Sequence, residues 1–163
     1  MLKPKKLQSG RFGYFNPDGS RAFETDFAYA WQFSEGLALI QLDSGRHGFI
    51  KPCGQKAFDA DFEQAGSFSD GLASVKFDND RWGCINLDGH KAFEGDFTWI
   101  GCFCEGMACV LLDNGRYAYI KSDGQKAFEA DFKSATSFAQ GKARVELDNG
   151  DRININTHGV LCK

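Results

Sequence analysis

Apolar and polar residues alternate along stretches that recur every 35 residues. In GLALIQLDSGR at 36–46, Ala38, Ile40 and Leu42 form an apolar set, while the residues between them vary from repeat to repeat. Alternation with one side always apolar is typical of a half-buried β-strand. The Asp-Ser-Gly that follows is Asp-Asn-Gly in two other repeats, which indicates a hairpin turn because Asn and Gly tolerate positive φ.

The segments after this strand extend the pattern to a three-stranded unit. A second strand, RHGFIK at 46–51, places Ile50 on the apolar side and ends at a turn with Gly in a fixed position. Gly48, two residues earlier, indicates close approach by another backbone or ring. A short third strand ends in Ala-Phe, and a polar connector follows it. The pattern therefore predicts a three-stranded antiparallel meander in each repeat.

One nine-residue phrase marks the period. GSRAFETDF at 19–27 returns as GQKAFDADF, GHKAFEGDF and GQKAFEADF, each time 35 residues later. A single small meander cannot bury both of its faces, so each unit must be covered by the next, which predicts a repeat array.

We therefore predict one all-β domain over 1–163, arranged as a compact solenoid or curved array. The alternative is a closed five-bladed propeller-like ring. The predicted units span about 3–35, 36–70, 71–105, 106–140 and 141–163.

Three stretches carry a resemblance to a known family. They are FSEGLALIQLDSGRHGFI at 33–50, FSDGLASVKFDNDRWGCINLDG at 68–89 and FCEGMACVLLDNGRYAYIKSDG at 103–124. Their pattern resembles the WG-repeat, or KWG-repeat, family of bacteria, and the Trp-Gly pair that names it is Trp82-Gly83. The resemblance implies a β-rich repeat scaffold, generally without assigned chemistry, that binds other proteins.

Charge and hydropathy narrow the classes of partner. The formal net charge is −3 and the pI is about 5.6, and no basic run exceeds KPKK at 3–6. Nucleic-acid binding needs a basic patch that displaces counterions, so we expect no nucleic-acid partner. No apolar run reaches the roughly 20 residues of a membrane span, and no apolar stretch follows the early lysines as in a secretory signal. The expected compartment is the bacterial cytoplasm.

The chain shows no catalytic motif. His47, His90 and His158 occupy different repeat positions, and no Ser/His/Asp or Cys/His order repeats. There is no P-loop and no G-x-G-x-x-G segment. We therefore predict no catalytic residues, no cofactor and no enzyme activity.

Neither the acidic residues nor the cysteines form a metal motif. One Asp per repeat, such as Asp26, predicts hydrogen bonding at a corner rather than calcium binding, which needs several carboxylates together. The six cysteines do not follow the period, which argues against a disulfide or metal framework. Cys102, Cys104 and Cys109 lack a second cluster at zinc spacing, so we expect them to act as small apolar residues. Period-2 spacing places Cys102 and Cys104 on the same side of the connector.

Residues that depart from the repeat rule are the candidates for partner binding. Aromatic anchors dominate protein interfaces, and three large aromatic residues lie in connectors. Other candidates are apolar strand residues where sister repeats carry Ser, Lys, Arg or Glu, because an exposed apolar patch indicates a partner or self-association. The predicted partner-binding residues are Tyr29, Trp31, Trp99, Leu39, Trp82, Cys109 and Leu111.

The predicted function is a non-enzymatic protein-binding module. A narrower hypothesis is an immunity or inhibitor protein that neutralises a toxin or an enzyme by direct binding, since an acidic inhibitor is steered toward a basic target. The alternative is a small-ligand protein that holds a sugar or nucleotide on Trp31, Trp82 and Trp99.

Overall fold

A computed structural model describes residues 1–162 and contains fifteen short β-strands and, within that range, no helix. The strands are β1 Lys3–Lys6, β2 Phe12–Phe15, β3 Tyr29–Ser34, β4 Leu37–Gln41, β5 His47–Ile50, β6 Gln64–Ala65, β7 Leu72–Lys76, β8 Trp82–Asn86, β9 Lys91–Glu94, β10 Phe97–Ile100, β11 Met107–Leu112, β12 Tyr117–Lys121, β13 Ser134–Ala135, β14 Lys142–Glu146 and β15 Arg152–Asn156.

The strands form five separate antiparallel sheets that follow one another along the chain. Three sheets have three strands each, in the orders β3-β4-β5, β10-β11-β12 and β13-β14-β15. The first sheet is the pair β1-β2, and the third has four strands in the order β6-β7-β8-β9. The prediction of an all-β array of 35-residue antiparallel units is confirmed.

The identity of the third strand differs from the prediction. The connector supplies the first strand of each sheet after the β1-β2 pair, such as β3, whereas the Ala-Phe segment makes only a single bridge in most repeats, such as Ile50 with Lys56. In all four repeats the ring of this Phe packs on the turn of the next unit, including the third, where the segment does form a strand, β9. A methyl group added to Gly89 would lie 2.5 Å from Cγ of Phe58, so this turn has room for the ring only because it carries Gly.

Side-chain hydrogen bonds also join each unit to the next at equivalent positions. Ser34 Oγ donates to the carbonyl of Phe68 at 2.7 Å, and Ser69 Oγ donates to the carbonyl of Phe103 at 2.6 Å. A second series runs between tight turns, where an acidic side chain accepts from the Gly N–H of the following unit. Its members are Glu35 with Gly71, Asp70 with Gly106 and Glu105 with Gly141.

The core lies between successive sheets rather than inside one of them. Phe49 of the second unit is 1% exposed and packs with Val75 and Ile85 of the third. Tyr119 is fully buried and packs in the same way with Val145 of the fifth unit. Both faces of each interior sheet are therefore covered.

The two outer faces of the array are polar. In the last unit, Lys142, Arg144 and Arg152 are exposed at positions that are mostly apolar in the interior units. In the first sheet, Lys3 and Lys5 are exposed where later repeats carry Ala and Ile or Val. Terminal repeats with polar outer faces cap repeat arrays. Because both end faces are exposed and carry cations, the structure favours an open array over a ring closed through these faces.

Making the last face apolar should cause association. The substitutions Lys142→Leu and Arg144→Leu introduce the residues that the second unit carries as Leu37 and Leu39, which the next unit covers. We expect concentration-dependent oligomers in light scattering coupled to gel filtration. A Lys142→Gln/Arg144→Gln variant removes the same charges without adding apolar surface and should elute like the wild type. If both variants associate equally, the loss of the positive charges alone, and not the added apolar surface, causes oligomers to form.

Candidate functional site

An ion-pair triad recurs at the exit corner of the repeats. In the second repeat, the Arg46 guanidinium pairs with the carboxylate of Asp61 and lies 2.8 Å from that of Asp78. These contacts raise the pKa of Arg46, mainly through the hydrogen bonds to Asp61 and Asp78. The same arrangement in the fourth repeat consists of Arg116, Asp131 and Asp148.

The recurring Asp therefore has a different partner from the one predicted. Its carboxylate pairs with an arginine side chain rather than with the corner backbone. The pairs are Asp26 with Arg21, Asp61 with Arg46, Asp96 with Arg81, and Asp131 with Arg116.

The triad is complete in the second and fourth repeats. In the first, Arg11 pairs with Asp43 while Asp26 pairs with Arg21, and in the third the last Asp is unpaired among the described residues. Arg81 pairs with Asp96 and lies 3.3 Å from the carboxylate of Glu94. Within residues 1–162, no ion pair joins Arg81 to Asp113, which occupies the position of Asp78 and Asp148. Asp113 is exposed and has no salt-bridge partner in that range.

The backbone of the same corner takes a different path. In the other repeats, a Phe of the corner exchanges two backbone hydrogen bonds with the start of the second strand, as Phe62 does with His47. In the third repeat, the N–H of Gly95 donates to the carbonyl of Trp82 instead, at 3.1 Å. This contact extends the pairing of β8 with β9, so Phe97 is released to begin β10.

Gly83 makes this path accessible. A methyl group there would lie 2.2 Å from the carbonyl oxygen of Phe93 on β9, so no other residue fits without a backbone shift. At Gly48, the equivalent position, a methyl group would lie 3.6 Å from Ile40 Cδ1, which is ordinary contact. The fourth repeat carries Ala118, and its Ala-Phe segment makes only a single bridge.

The released corner opens a trough on the surface. Two neighbouring cavities of about 470 Å³ and about 490 Å³ share Gln64, Trp82 and Trp99 as lining residues. We call these two adjoining cavities together the trough. Its first end is lined by charged residues that include Asp113, and its second end by His47 and Cys102 among others.

Trp99 forms the exposed wall of the trough. It lies on the edge strand β10, next to a register shift between Phe97 and Trp99, and 43% of its surface is exposed. Its indole lies against Gly101, where the first repeat has Trp31. Trp82 forms the inner wall and is only 7% exposed.

A row of aromatic rings leads along the array to the trough. The Tyr29 ring lies 4.4 Å from Phe12 and 4.6 Å from Trp31, between ring centroids. Trp31 lies 5.8 Å from the His47 ring, which also lines the second end of the trough. We call these four residues the aromatic ridge.

The structure brings five of the predicted partner-binding residues to one region. Tyr29 and Trp99 are exposed, and Trp31 is half-buried in the aromatic ridge. Trp82 lines the trough although most of its surface is buried. Leu111 is half-buried and pairs with Trp99 across β10 and β11.

The predicted exposure of two further residues is wrong. Leu39 is 3% exposed and Cys109 is 2% exposed. Both lie on a sheet face that the following unit covers, Leu39 against the core of the third unit and Cys109 against that of the fifth. They are core residues, so neither forms an apolar surface patch.

Sequence reasoning did not select Gln64, His47 or Asp113 as site residues. Asp113 is an Asp in every repeat, so nothing in its own position distinguishes it. The residue that could have indicated the site is Gly95, which stands where the other repeats have Thr or Ala.

The site offers no metal centre among residues 1–162, since no group of three or more His, Cys, Asp or Glu side chains could hold an ion there. Burial raises the pKa of Cys84 and of Cys109 to about 12, so both thiols stay protonated at neutral pH. No helix within the described residues is long and apolar enough to cross a membrane.

A family model described as "WG containing repeat" matches residues 12–44, 48–79, 82–115 and 117–150. No curated protein sequence matches the chain.

Several solved structures share the fold at low sequence identity. BamB from Moraxella catarrhalis is 12% identical with a TM-score of 0.57, over 97% of this chain and 55% of that one. The computationally designed Ika8 protein is 10% identical with a TM-score of 0.57, over 99% of this chain and 57% of that one. The computationally designed Ika4 protein is 13% identical with a TM-score of 0.50, over 76% of this chain and 87% of that one. The chain thus spans a little more than half the length of the first two.

Adding one methyl group tests the close approach at β9. Gly83→Ala places a Cβ against backbone atoms, so we expect the free energy of unfolding to fall by about 1–3 kcal/mol in urea denaturation. The matched variant Gly48→Ala should stay within about 0.5 kcal/mol of the wild type. If both variants lose the same free energy of unfolding, the backbone of β9 does not approach Gly83 more closely than Gly48 is approached.

The buried thiols predict loss of stability in alkali. Their folded pKa of about 12 lies above the unfolded value of 9.0, so the stabilisation is complete below about pH 9 and is lost as pH rises toward 12. From about pH 8 to about pH 10, the free energy of unfolding should fall by about 1.4 kcal/mol for each thiol. Cys84→Ala should reduce this dependence by one thiol's share in urea denaturation at both pH values. If Cys84→Ala leaves the pH dependence of the free energy of unfolding unchanged, groups other than Cys84 cause the loss of stability.

Proposed function

The chain belongs to the WG-repeat family, and we propose that it is a non-enzymatic protein-binding module whose trough holds an extended segment of a partner protein. The observation that carries this proposal is the open trough between Trp82 and Trp99, at the one corner where the repeat geometry changes among residues 1–162.

The shape and lining of the trough suit a polypeptide segment. Its two cavities share three lining residues and are open to solvent, so an extended chain can occupy both. The walls are the two indoles, and the Gln64 amide offers both a donor and an acceptor for a peptide backbone. Aromatic residues on a rigid support are the usual anchors of protein interfaces.

The charge of the first end favours a basic residue in that segment. Lys76 and Arg81 line this end, but each already pairs with two carboxylates. Asp113 lacks such a partner among the described residues, so its carboxylate is free to pair with Lys or Arg. Trp82 and Trp99 line the same cavity as Asp113, so a cation bound there can also be attracted to an indole ring. The net charge of −3 steers basic partners in the same direction.

The narrower hypothesis adds one property to the partner. If the bound segment belongs to the active surface of a toxin or an enzyme, occupation of the trough blocks that surface and the module acts as an immunity or inhibitor protein. The purified partner's own activity, measured with and without the module, decides this point.

Site-specific crosslinking in cells of the source organism tests the proposal. A photoreactive benzoylphenylalanine at Thr98, an exposed residue of the trough, should crosslink to one defined protein. The same residue at Leu87, exposed outside the trough, should not. The crosslinked peptide should contain a Lys or Arg beside the attachment point. Crosslinking to a sugar or nucleotide instead of a protein would favour the small-ligand alternative.

Affinity for the identified partner gives the sharper test. Trp99→Ala should weaken binding by about 30-fold, as expected for an aromatic anchor. Asp113→Asn should weaken it by about 3–10-fold and reduce its salt dependence. The matched control Asp148→Asn alters the same repeat position in a closed triad and should leave affinity unchanged. Wild-type affinity in Trp99→Ala would overturn the proposal.

A further inference from the structure

Two thiols lie side by side just before the tight turn of the third unit. Sγ of Cys102 and Sγ of Cys104 are 3.6 Å apart and share a hydrogen bond. Between them, Phe103 is 1% exposed, and its carbonyl accepts the hydroxyl of Ser69. The N–H of Cys104 donates to the carbonyl of Met107 at 2.9 Å. The backbone that carries both thiols is therefore fixed on each side of the pair.

The repeat shows that Cys104 has lost a structural role. At its position, Ser34 and Ser69 each donate to the carbonyl of the buried Phe in the following unit. Within residues 1–162, Cys104 makes no such bond to Phe138, and its thiol contacts Cys102 instead. At the position of Cys102 the other repeats carry Gln or Ser. The third repeat thus replaces a bond between units with a pair of thiols.

We propose that Cys102 and Cys104 form a redox-active dithiol that closes to an intramolecular disulfide when it is oxidised by a peroxide. The exposed Cys102 attacks as a thiolate and breaks the O–O bond of hydrogen peroxide, which gives a sulfenic acid and releases hydroxide. The sulfur of Cys104 then attacks the Cys102 sulfur and expels the sulfenic oxygen as water. In sum, two thiols and one hydrogen peroxide give one disulfide and two water molecules.

Geometry selects this pair over the other cysteines. A disulfide bond is about 2.05 Å long, so the two sulfurs, now 3.6 Å apart, must approach by about 1.5 Å. Cys53 is exposed, and the structure places no second thiol beside it. Cys84 and Cys109 are buried in different core clusters.

A disulfide also fits the site better than a metal ion does. The two sulfurs have no third ligand within the described residues, since no group of three metal-binding side chains occurs there. Burial is the main cause that raises the pKa of Cys104 to about 11, and its hydrogen bond with Cys102 and the negative charges of Asp70 and Glu105 add to it. The exposed Cys102 is therefore the attacking thiol, and ring closure should be faster at alkaline pH.

The dithiol lies where oxidation can affect binding. Cys102 lines the second end of the trough, and disulfide formation moves its sulfur closer to that of Cys104. A change in partner affinity on oxidation rests on the proposed function, whereas formation of the disulfide does not. The two are therefore tested separately.

The direct test oxidises the purified chain with an equimolar amount of hydrogen peroxide and then unfolds it in urea with N-ethylmaleimide present, so that buried free thiols are blocked as well as exposed ones. Peptide mass mapping should show Cys102 linked to Cys104 in the monomer, with the other four cysteines alkylated. Addition of dithiothreitol should restore alkylation of both. The proposal is overturned if both thiols remain alkylatable, or if either one pairs with another cysteine.

Variants separate this pair from general thiol reactivity. Cys104→Ser introduces the residue that two other repeats carry, so we expect it to fold, and with one equivalent of peroxide it should leave Cys102 as a sulfenic acid without a disulfide. Cys102→Ser should likewise form no intramolecular disulfide. The control Cys53→Ser/Cys162→Ser should form the disulfide as the wild type does. Loss of the disulfide in the control alone would also overturn the proposal.

Discussion

The structure depends on the burial of each sheet between its two neighbours. A sheet of three short strands has too little apolar surface to be stable alone, and here both of its faces carry large side chains. Phe49 and Tyr119 are almost fully buried because the next unit covers the sheet face on which they lie. At roughly 25 cal/mol per Å² of apolar surface, covering one such ring contributes about 2–3 kcal/mol, more than any single exposed ion pair on this chain can supply. Stacking between units therefore dominates stability, and the hydrogen bonds between turns fix the register of the stack.

The need of each sheet for a neighbour that covers it also explains why the two end faces are polar. A face that is apolar in the interior would be an exposed patch at the end of the array, so Lys142 and Arg144 replace Leu and Lys3 replaces Ala. In the first sheet, the Lys5 ammonium lies 5.0 Å from the centroid of the Phe15 ring, so its side chain covers part of this aromatic surface. Like charges at both ends also oppose the end-to-end joining of two arrays.

The repeat period made most of the fold predictable, because alternation and turn residues act locally and recur without insertion. Two features were not predictable from one repeat alone. Leu39 and Cys109 resemble surface residues in a single sheet, and only the stacking of units shows that they are buried. The trough arises from Gly83 and Gly95 acting together, since the first permits β9 to approach and the second lets its pairing continue. Gly83 is also Gly in two other repeats, so its special role is visible only in three dimensions.

The low cost of opening one triad explains how a binding site can arise inside so regular an array. Asp113 is exposed, and an exposed ion pair contributes about 0–1 kcal/mol, so separating it from Arg81 sacrifices little stability. Arg81 keeps two carboxylate partners, so no charge is left buried without compensation. The stacking contact between the third and fourth units stays in place, since Cys84 of the third unit and Val110 of the fourth are buried in one core cluster. The array can therefore vary its exit corners while its core remains unchanged, and a trough with two indole walls forms where the released corner exposes Trp99.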